Sequence, residues 1–541
     1  MKNSHTKLLV LFALGGLILA LPRQAGCGAE QKVRAPAVAG GFYPADPKAL
    51  TQMIDGFLAN TPVPQIQGPL VELICPHAGY IYSGPVAAYS YSLLKGRKYA
   101  RVVVIAPSHF ENFPFSSVYD GDAYATPLGT VPVDKAFAAK LVQLSSTIKF
   151  SDRGHTPAGQ QGEHALEVQL PFLQHTLGEF QLVPIVMGDQ DYPLCRALGV
   201  ALAKALLAEK PEVRAQTLIL ISSDLSHYHP YDEAVAIDHH TLAAVEEWDY
   251  LSLWRNFMTR TWEACGGGPI VAGMIAAERL GANRAQILKY ANSGDTTGEK
   301  TRVVGYGAVA ITPAKPESAK KSADFSLTGR EKDELMRIAR ASVETVVRER
   351  KMYLVGATSF ARLEEDRGAF VTLKEHGQLR GCIGYITPIK PLAETVRDVA
   401  AYAAIQDPRF ERVSSAELPL LQYEISVMSP LRRVLDIKEI KVGKHGLIIK
   451  KGNIEGILLP QVPVEEQWDR NTFLEQTCVK AGLPRQAWKD EDTDIFMFTA
   501  LVFGEHTSAE AATDQPTLPG RSPQPPGSQL PTPPTPDLPR P

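Results

Sequence analysis

The chain has 541 residues, 44% of them hydrophobic and 21% charged, with a net charge of -3. At roughly 150 residues per domain, this length implies two to four folding units. Near-neutral charge offers no basic face, so nucleic acid is excluded as an expected partner.

Lys2 and Lys7 flank the start of an apolar run over residues 8–21, which is followed by Pro-Arg-Gln-Ala-Gly-Cys. A basic flank, a short apolar core and small residues read as an export signal over residues 1–30. The run is short for a membrane span. Cys27 after Ala-Gly resembles a bacterial lipoprotein processing site, with Gln24 a poor fit to it. An uncleaved N-terminal anchor is the alternative. The expected location is therefore exported, periplasmic or membrane-anchored, with a cytoplasmic location left open. The six cysteines are scattered without a Cys-x-x-Cys pair, so they form no disulfide framework.

Residues 31–315 alternate short apolar runs with helical segments. Strands are expected at 70–75, 101–106, 181–187, 217–223 and 303–311, and helices over "HALEVQLPFLQHTL" and "LCRALGVALAKALLAE". Continuously apolar strands suit a sheet covered on both faces, which makes this an α/β layered domain. Three of the strands end alike. Residues 70–75 run into Pro76-His77, 101–106 into Pro107-Ser108-His109, and 217–223 into Asp224 and then His227. Ligands bind beyond the carboxyl ends of such strands, so these side chains are expected to converge on one site. "CGGGP" opens a later helix with Cys265 at its N-terminal end, where the dipole favours a thiolate. The alternative there is a buried cysteine beside a tight glycine turn. Two imidazoles and a thiolate would make a three-ligand metal site suited to iron, copper or zinc. Asp224 and His227 would then orient or deprotonate a bound molecule.

"GEHALEVQLPFL" adds Glu163, His164 and Glu167, with the two carboxylates at helical i, i+4 spacing. This segment reads either as a capped, solvated helix start or as one wall of the cleft. "NSGDTTG" (292–298) reads as a polar loop that either covers the cleft or simply turns the chain. Residues 316–326 are a polar linker. Residues 327–506 mix strands with segregated helices, an α+β pattern that begins with a long amphipathic helix capped by Thr328. "LRGCIG" within it holds Arg380 and Cys382, where the sequence favours a packed core cysteine over a nucleophile. Residues 507–541 are Pro-rich and expected to be disordered.

"RAPAVAGGFYPAD", "PHAGYIYSG", "APSH", "EHALEVQLPFL", "SSDLSHY", "CGGGPI" and "NSGDTTG…VVGYGA" together resemble the Memo family. Memo proteins in turn resemble class III extradiol dioxygenases, which use non-haem iron. The resemblance implies a metal triad at His77, His109 and Cys265, with His227 at the position of the dioxygenase base. The dioxygenases carry a glutamate where this chain has Cys265, a departure that argues against ring cleavage; a thiolate changes the metal's charge and softness and invites copper or redox cycling. "LRGCIG", "DPRF", "YEISVMSP", "HGLIIKKG" and "ILLPQV" resemble an AMMECR-type domain, whose family pattern makes Arg380 and Cys382 the cleft candidates. Both families are associated in bacteria with a radical SAM protein. The resemblance therefore implies an AmmeMemoRadiSam-type system, in which this chain is a fusion and the radical enzyme a separate partner. The competing expectations are a binding module that recognises a peptide, small molecule or metal, and an accessory to a radical-based modification enzyme.

Overall fold

The structure is a computed structural model describing residues 31–156, 162–314, 325–356 and 359–505. The expected leader with Cys27, residues 316–324 of the linker and the Pro-rich tail lie outside the described residues. No described helix is long and apolar enough to cross a membrane. The chain divides into two compact units, one up to Lys320 and one from Lys321.

In the first unit, Val-, Ile- and Leu-rich runs form the strands, as β-branched side chains favour. Those of its main sheet are β1 (Glu72–Cys75), β2 (Arg101–Pro107), β3 (Ser116–Val118), β4 (Ile148–Phe150), β5 (Gln181–Met187), β6 (Thr217–Ser222), β7 (His227–His229), β8 (Arg284–Asn292) and β9 (Val303–Thr312); Val33–Arg34, Ala123–Thr126 and Gly129–Pro132 form a separate small sheet. Their order is β7-β9-β1-β6-β2-β5-β3-β4, with β8 also paired to β9. The four central strands, β1, β6, β2 and β5, run parallel. Their carboxyl ends therefore reach one edge of the sheet together.

Both faces of this sheet are covered, which explains the uninterrupted apolar runs. On one face Leu73, Val102, Val104 and Leu220 join a core with Tyr91 and Phe172 from the helices Tyr80–Ser92 and Gln169–Leu177. On the other, Ile221 of β6 lies under Gly273 of the helix Gly267–Arg279.

Two local expectations are corrected. The helix read from His164 begins at Gln169, and residues 165–168 are turns. Glu163 and Glu167 thus share no helix face, and both are buried rather than solvated. Glu167 is held by tertiary partners: Arg34 Nη1 donates to its Oε2 at 2.6 Å, Tyr43 Oη to its Oε1 at 2.5 Å, and the Ala37 N–H to Oε2 at 2.7 Å. The segment at 292–298 is a short helix, Ser293–Thr297, closed by a reciprocal capping box between Asn292 and Asp295.

The second unit is a seven-stranded antiparallel sheet. The helices Gly329–Glu349 and Leu392–Ile405 share a core with its strand Ala369–Glu375 through Leu335, Ile338, Val396, Val399 and Val371. Thr328 caps the first helix as expected, and Glu331 returns the bond to the Thr328 backbone N–H. The glycine before Cys382 has a packing reason: a side chain at Gly381 would stand 2.2 Å from the carbonyl oxygen of Ala403.

Candidate metal centre

Three strand ends and one helix start build the site. His77 follows β1, His109 follows β2, Asp224 follows β6, and Cys265 lies two residues before the helix Gly267–Arg279. One ligand atom each from His77, His109 and Cys265 lies within 4.8 Å of the others. Sγ of Cys265 is 3.1 Å from Nε2 of His77. The ring centroids of His77 and His109 are 5.1 Å apart and nearly perpendicular. His164 stacks on His109 at 4.6 Å.

The outer partners decide which nitrogens are free. Ser222 Oγ gives its proton to the carbonyl of Ala165 at 2.5 Å. At its 2.9 Å contact with His77 Nδ1 the hydroxyl therefore accepts, so Nδ1 carries the ring proton and Nε2 keeps its lone pair. Gln169 Nε2 completes the setting by donating to Ser222 Oγ at 2.7 Å. His109 Nδ1 donates to Glu163 Oε1 at 3.0 Å, and the His109 backbone N–H donates to Oε2 at 2.6 Å. Each imidazole is thus gripped at Nδ1 with Nε2 available, the arrangement that metal-binding histidines use.

Cys265 is tied to Asp224 in both directions. The Asp224 N–H donates to Sγ at 3.2 Å, and the Cys265 N–H donates to the Asp224 carbonyl at 3.3 Å. Asp224 Oδ1 in turn accepts the backbone N–H of His77 at 2.7 Å. The three glycines that follow Cys265 admit the chain's own segments. A side chain at Gly266 would meet the Ser222 carbonyl at 2.5 Å, and one at Gly268 would meet Gln190 at 2.7 Å.

The electrostatics follow from burial and these contacts. Burial, with His109 and His164 nearby, holds His77 well below the ordinary imidazole range. Burial and His109 bring His164 down to about 4. At His109, burial opposes the charge, but hydrogen bonds to Cys265 and Glu163 prevail and raise it to about 10. Burial would raise Glu163, but the hydrogen bonds from His109 take it down to about 2. Burial raises Asp224 to about 6 despite the His77 N–H. Burial also pushes the Cys265 thiol up, against the lowering expected of a helix N-terminus.

His227 stands to one side. Its Nδ1 donates to the carbonyl of Leu225 at 2.8 Å, leaving Nε2 as an acceptor in the neutral ring. It lines an open hollow of about 470 Å³ that also reaches Cys265, Leu225, Trp254 and Trp262. Arg380 and Cys382 lie in the second unit. Arg380 Nε donates to Glu417 Oε1 at 2.7 Å. The Cys382 N–H donates to Asp407 Oδ2 at 2.8 Å, and Thr372 Oγ1 donates to its sulfur at 3.3 Å. Sequence reasoning missed Ser222, Gln169 and Arg34. A hydroxyl at a strand end and an amide in an apolar helix carry no pattern of their own.

The donor set of two imidazole nitrogens and a sulfur, with a carboxylate behind one ring and a hydroxyl behind the other, fits a soft or borderline metal. A second group, His109, Glu163 and His164, also has ligand atoms within 4.8 Å. Fold and site together define an α/β protein with a possible metal site at the carboxyl edge of a parallel sheet. Residues 34–310 match the family model described as "Memo-like protein", and residues 336–503 match that described as "AMMECR1". The chain belongs to the Memo family and carries an AMMECR1 domain after the Memo domain. A MEMO1 family protein of Sulfolobus acidocaldarius is 37% identical over 290 residues, 51% of this chain and 98% of that one. One from Aeropyrum pernix is 38% identical over 290 residues, 52% of this chain and all of that one (100%). The crystal structure of an uncharacterized protein from Pyrococcus horikoshii is 43% identical, covering 32% of this chain and 89% of that one with a TM-score of 0.30.

Proposed function

We propose that the Memo domain is a metal-dependent redox protein with His77, His109 and Cys265 as the ligands of iron or copper. The observation that carries this reading is that Ser222 and Glu163 hold each ring at Nδ1 and leave both Nε2 atoms beside one sulfur, where a metal would displace the second proton that His109 carries. Iron or copper bound there would supply one-electron chemistry and an open coordination position. The chain's own residues do the rest. Ser222 and Glu163 fix the ring orientations. Asp224, with its carboxyl near 6, holds or releases a proton close to neutrality. His227 offers Nε2 as a proton acceptor at the wall of the hollow. The difference from the dioxygenases, sulfur in place of a glutamate, favours electron transfer or thiol oxidation over ring cleavage.

The same reading extends to partner and place. Two domains in one chain, without a cysteine trio for an iron–sulfur cluster, support work beside a separate radical SAM enzyme. The basic flank and apolar run at 2–21 support export.

The test is elemental analysis of the untagged full chain, repeated with His77→Ala and Cys265→Ser, and followed by the redox response of the bound metal. Stoichiometric iron or copper, lost in both variants and able to cycle between oxidation states, is the expected result. Metal retained by both variants overturns the ligand set. Stoichiometric metal that never cycles overturns the redox role.

A further inference from the structure

The hollow beside Cys265 has a composition that the metal reading does not use. Leu225, Trp254, Phe257, Met258 and Trp262 supply an apolar stretch of its wall, and polar groups supply much of the rest. Its volume of about 470 Å³ falls in the range of small-molecule pockets. Such an apolar stretch recognises an apolar body, and the polar groups beside it orient that body.

The polar groups can be sorted by what already occupies them. Glu263 is engaged on both oxygens: Oε1 meets His229 Nε2 at 3.0 Å, and Oε2 accepts the His227 N–H at 3.3 Å. Gln190 is engaged at both ends, its Nε2 donating to the Cys265 carbonyl at 2.9 Å and its Oε1 accepting the Gly268 N–H at 2.5 Å. Two donors remain. The indole N–H of Trp262 has no partner among the described residues, but it is buried away from open space and offers the hollow only its ring. Arg260 also lines the hollow and has no side-chain partner among the described residues. Its backbone is fixed in the left-handed region (φ 57°), capping the helix Tyr250–Thr259. The vacant donor at the wall is therefore the Arg260 guanidinium, which carries positive charge. The vacant acceptor at the same wall is Nε2 of His227.

We propose that this hollow is the substrate subsite and that it takes a small apolar or aromatic carboxylate. The apolar body lies against Trp254, Phe257 and Trp262, and the carboxylate lies at Arg260. The far end of the molecule then faces Cys265 and His227. The inference rests on the metal reading only for the name substrate; the binding preference stands on the lining alone.

The test uses 3-phenylpropionate and its neutral amide as probes, titrated calorimetrically into the full chain, with metal content measured on the same samples. The carboxylate is expected to bind about fivefold more tightly than the amide, the scale of one partly exposed charge pair. Arg260→Gln, an exposed position, is expected to abolish that preference and leave amide binding unchanged. Phe257→Ala is expected to weaken both probes. Equal binding of the two probes to the native chain overturns the proposal, and so does a preference that survives Arg260→Gln. No binding of either probe overturns it as well. A preference lost in His77→Ala but kept in Arg260→Gln would make the carboxylate a metal ligand, which also overturns it. An Arg260-dependent preference in a chain that holds no metal keeps the subsite and overturns the metal reading, so the two failures are told apart.

Discussion

Ser222 Oγ stands 2.9 Å from His77 Nδ1 while giving its own proton to Ala165, so it can only accept from the ring. A serine at the end of β6 thereby sets the tautomer of a histidine at the end of β1. Ser222→Ala removes the acceptor and frees the ring to rotate or exchange tautomers. We expect metal affinity to fall about 10–100-fold, read by competition with a chelator, and the far-ultraviolet circular dichroism to stay unchanged. Unaltered affinity would show that the hydroxyl only fills space.

Glu163 does the corresponding work for His109 through two hydrogen bonds. Glu163→Gln keeps the shape and one acceptor oxygen but loses the charge, whereas Glu163→Ala loses both. Metal affinity should therefore fall in the order native, Gln, Ala, with the Ala variant down about 10–100-fold. Equal loss in the two variants would assign the effect to charge alone.

Arg34, the second residue of a short strand at Val33–Arg34, joins the beginning of the described chain to the site segment. Nε donates to the His155 carbonyl at 2.6 Å, Nη2 to the Glu163 carbonyl at 2.5 Å, and Nη1 to Glu167 at 2.6 Å, all in a buried setting. Arg34→Met leaves Glu167 buried without its cation, a loss of about 3–5 kcal/mol. The first unit's melting transition should drop by roughly 10 °C. The second unit's transition should not move, which makes it the internal control in the same scan.

His155 is neutral in the folded chain. Its Nε2 donates to the Ser117 carbonyl at 3.1 Å, and its Nδ1 accepts from the Tyr124 hydroxyl. Burial lowers it from 6.5 to about 4. Between those two values the unfolded chain takes up a proton that the folded chain refuses. This contribution to stability is complete above the unfolded value and is lost as pH falls toward the folded one, about 3 kcal/mol in all. His155→Gln should flatten that part of the profile. Thermal melts at pH values of about 7 and 4.5, compared for native and variant chains, read the difference; parallel profiles would discard the assignment.

The glycine and the cysteine of "LRGCIG" can be separated by substitution. Gly381→Ala forces a methyl against the Ala403 carbonyl at 2.2 Å, and such overpacking costs about 1–3 kcal/mol. Cys382→Ser keeps the Thr372 contact in kind and should cost less than about 1 kcal/mol. Denaturant unfolding of the second unit distinguishes them.

Apolar strands ending in Pro-His or Ser-Asp declare their own polarity, so the convergence of His77, His109 and Asp224 was legible before any coordinates. The carboxylates were not. Glu163 and Glu167 carry the spacing of a helix face, yet the chain turns there because Arg34, Tyr43 and His109, distant in sequence, take hold of them. Local spacing yields when tertiary partners hold the side chains. The thiol at Cys265 was placed correctly at a helix start, but the helix dipole is outweighed by burial. Ser222 and Gln169 left no trace in the sequence, since their function exists only once β1 and β6 lie side by side.

The glycine clamp after Cys265 has an engineering consequence. Because Gly266 and Gly268 are pressed against Ser222 and Gln190, the sulfur's address is fixed by backbone, independently of what atom occupies it. Position 265 is therefore a socket. Replacing its thiol by a carboxylate would ask a single question of metal preference, hard against soft, while the frame around it stays as built.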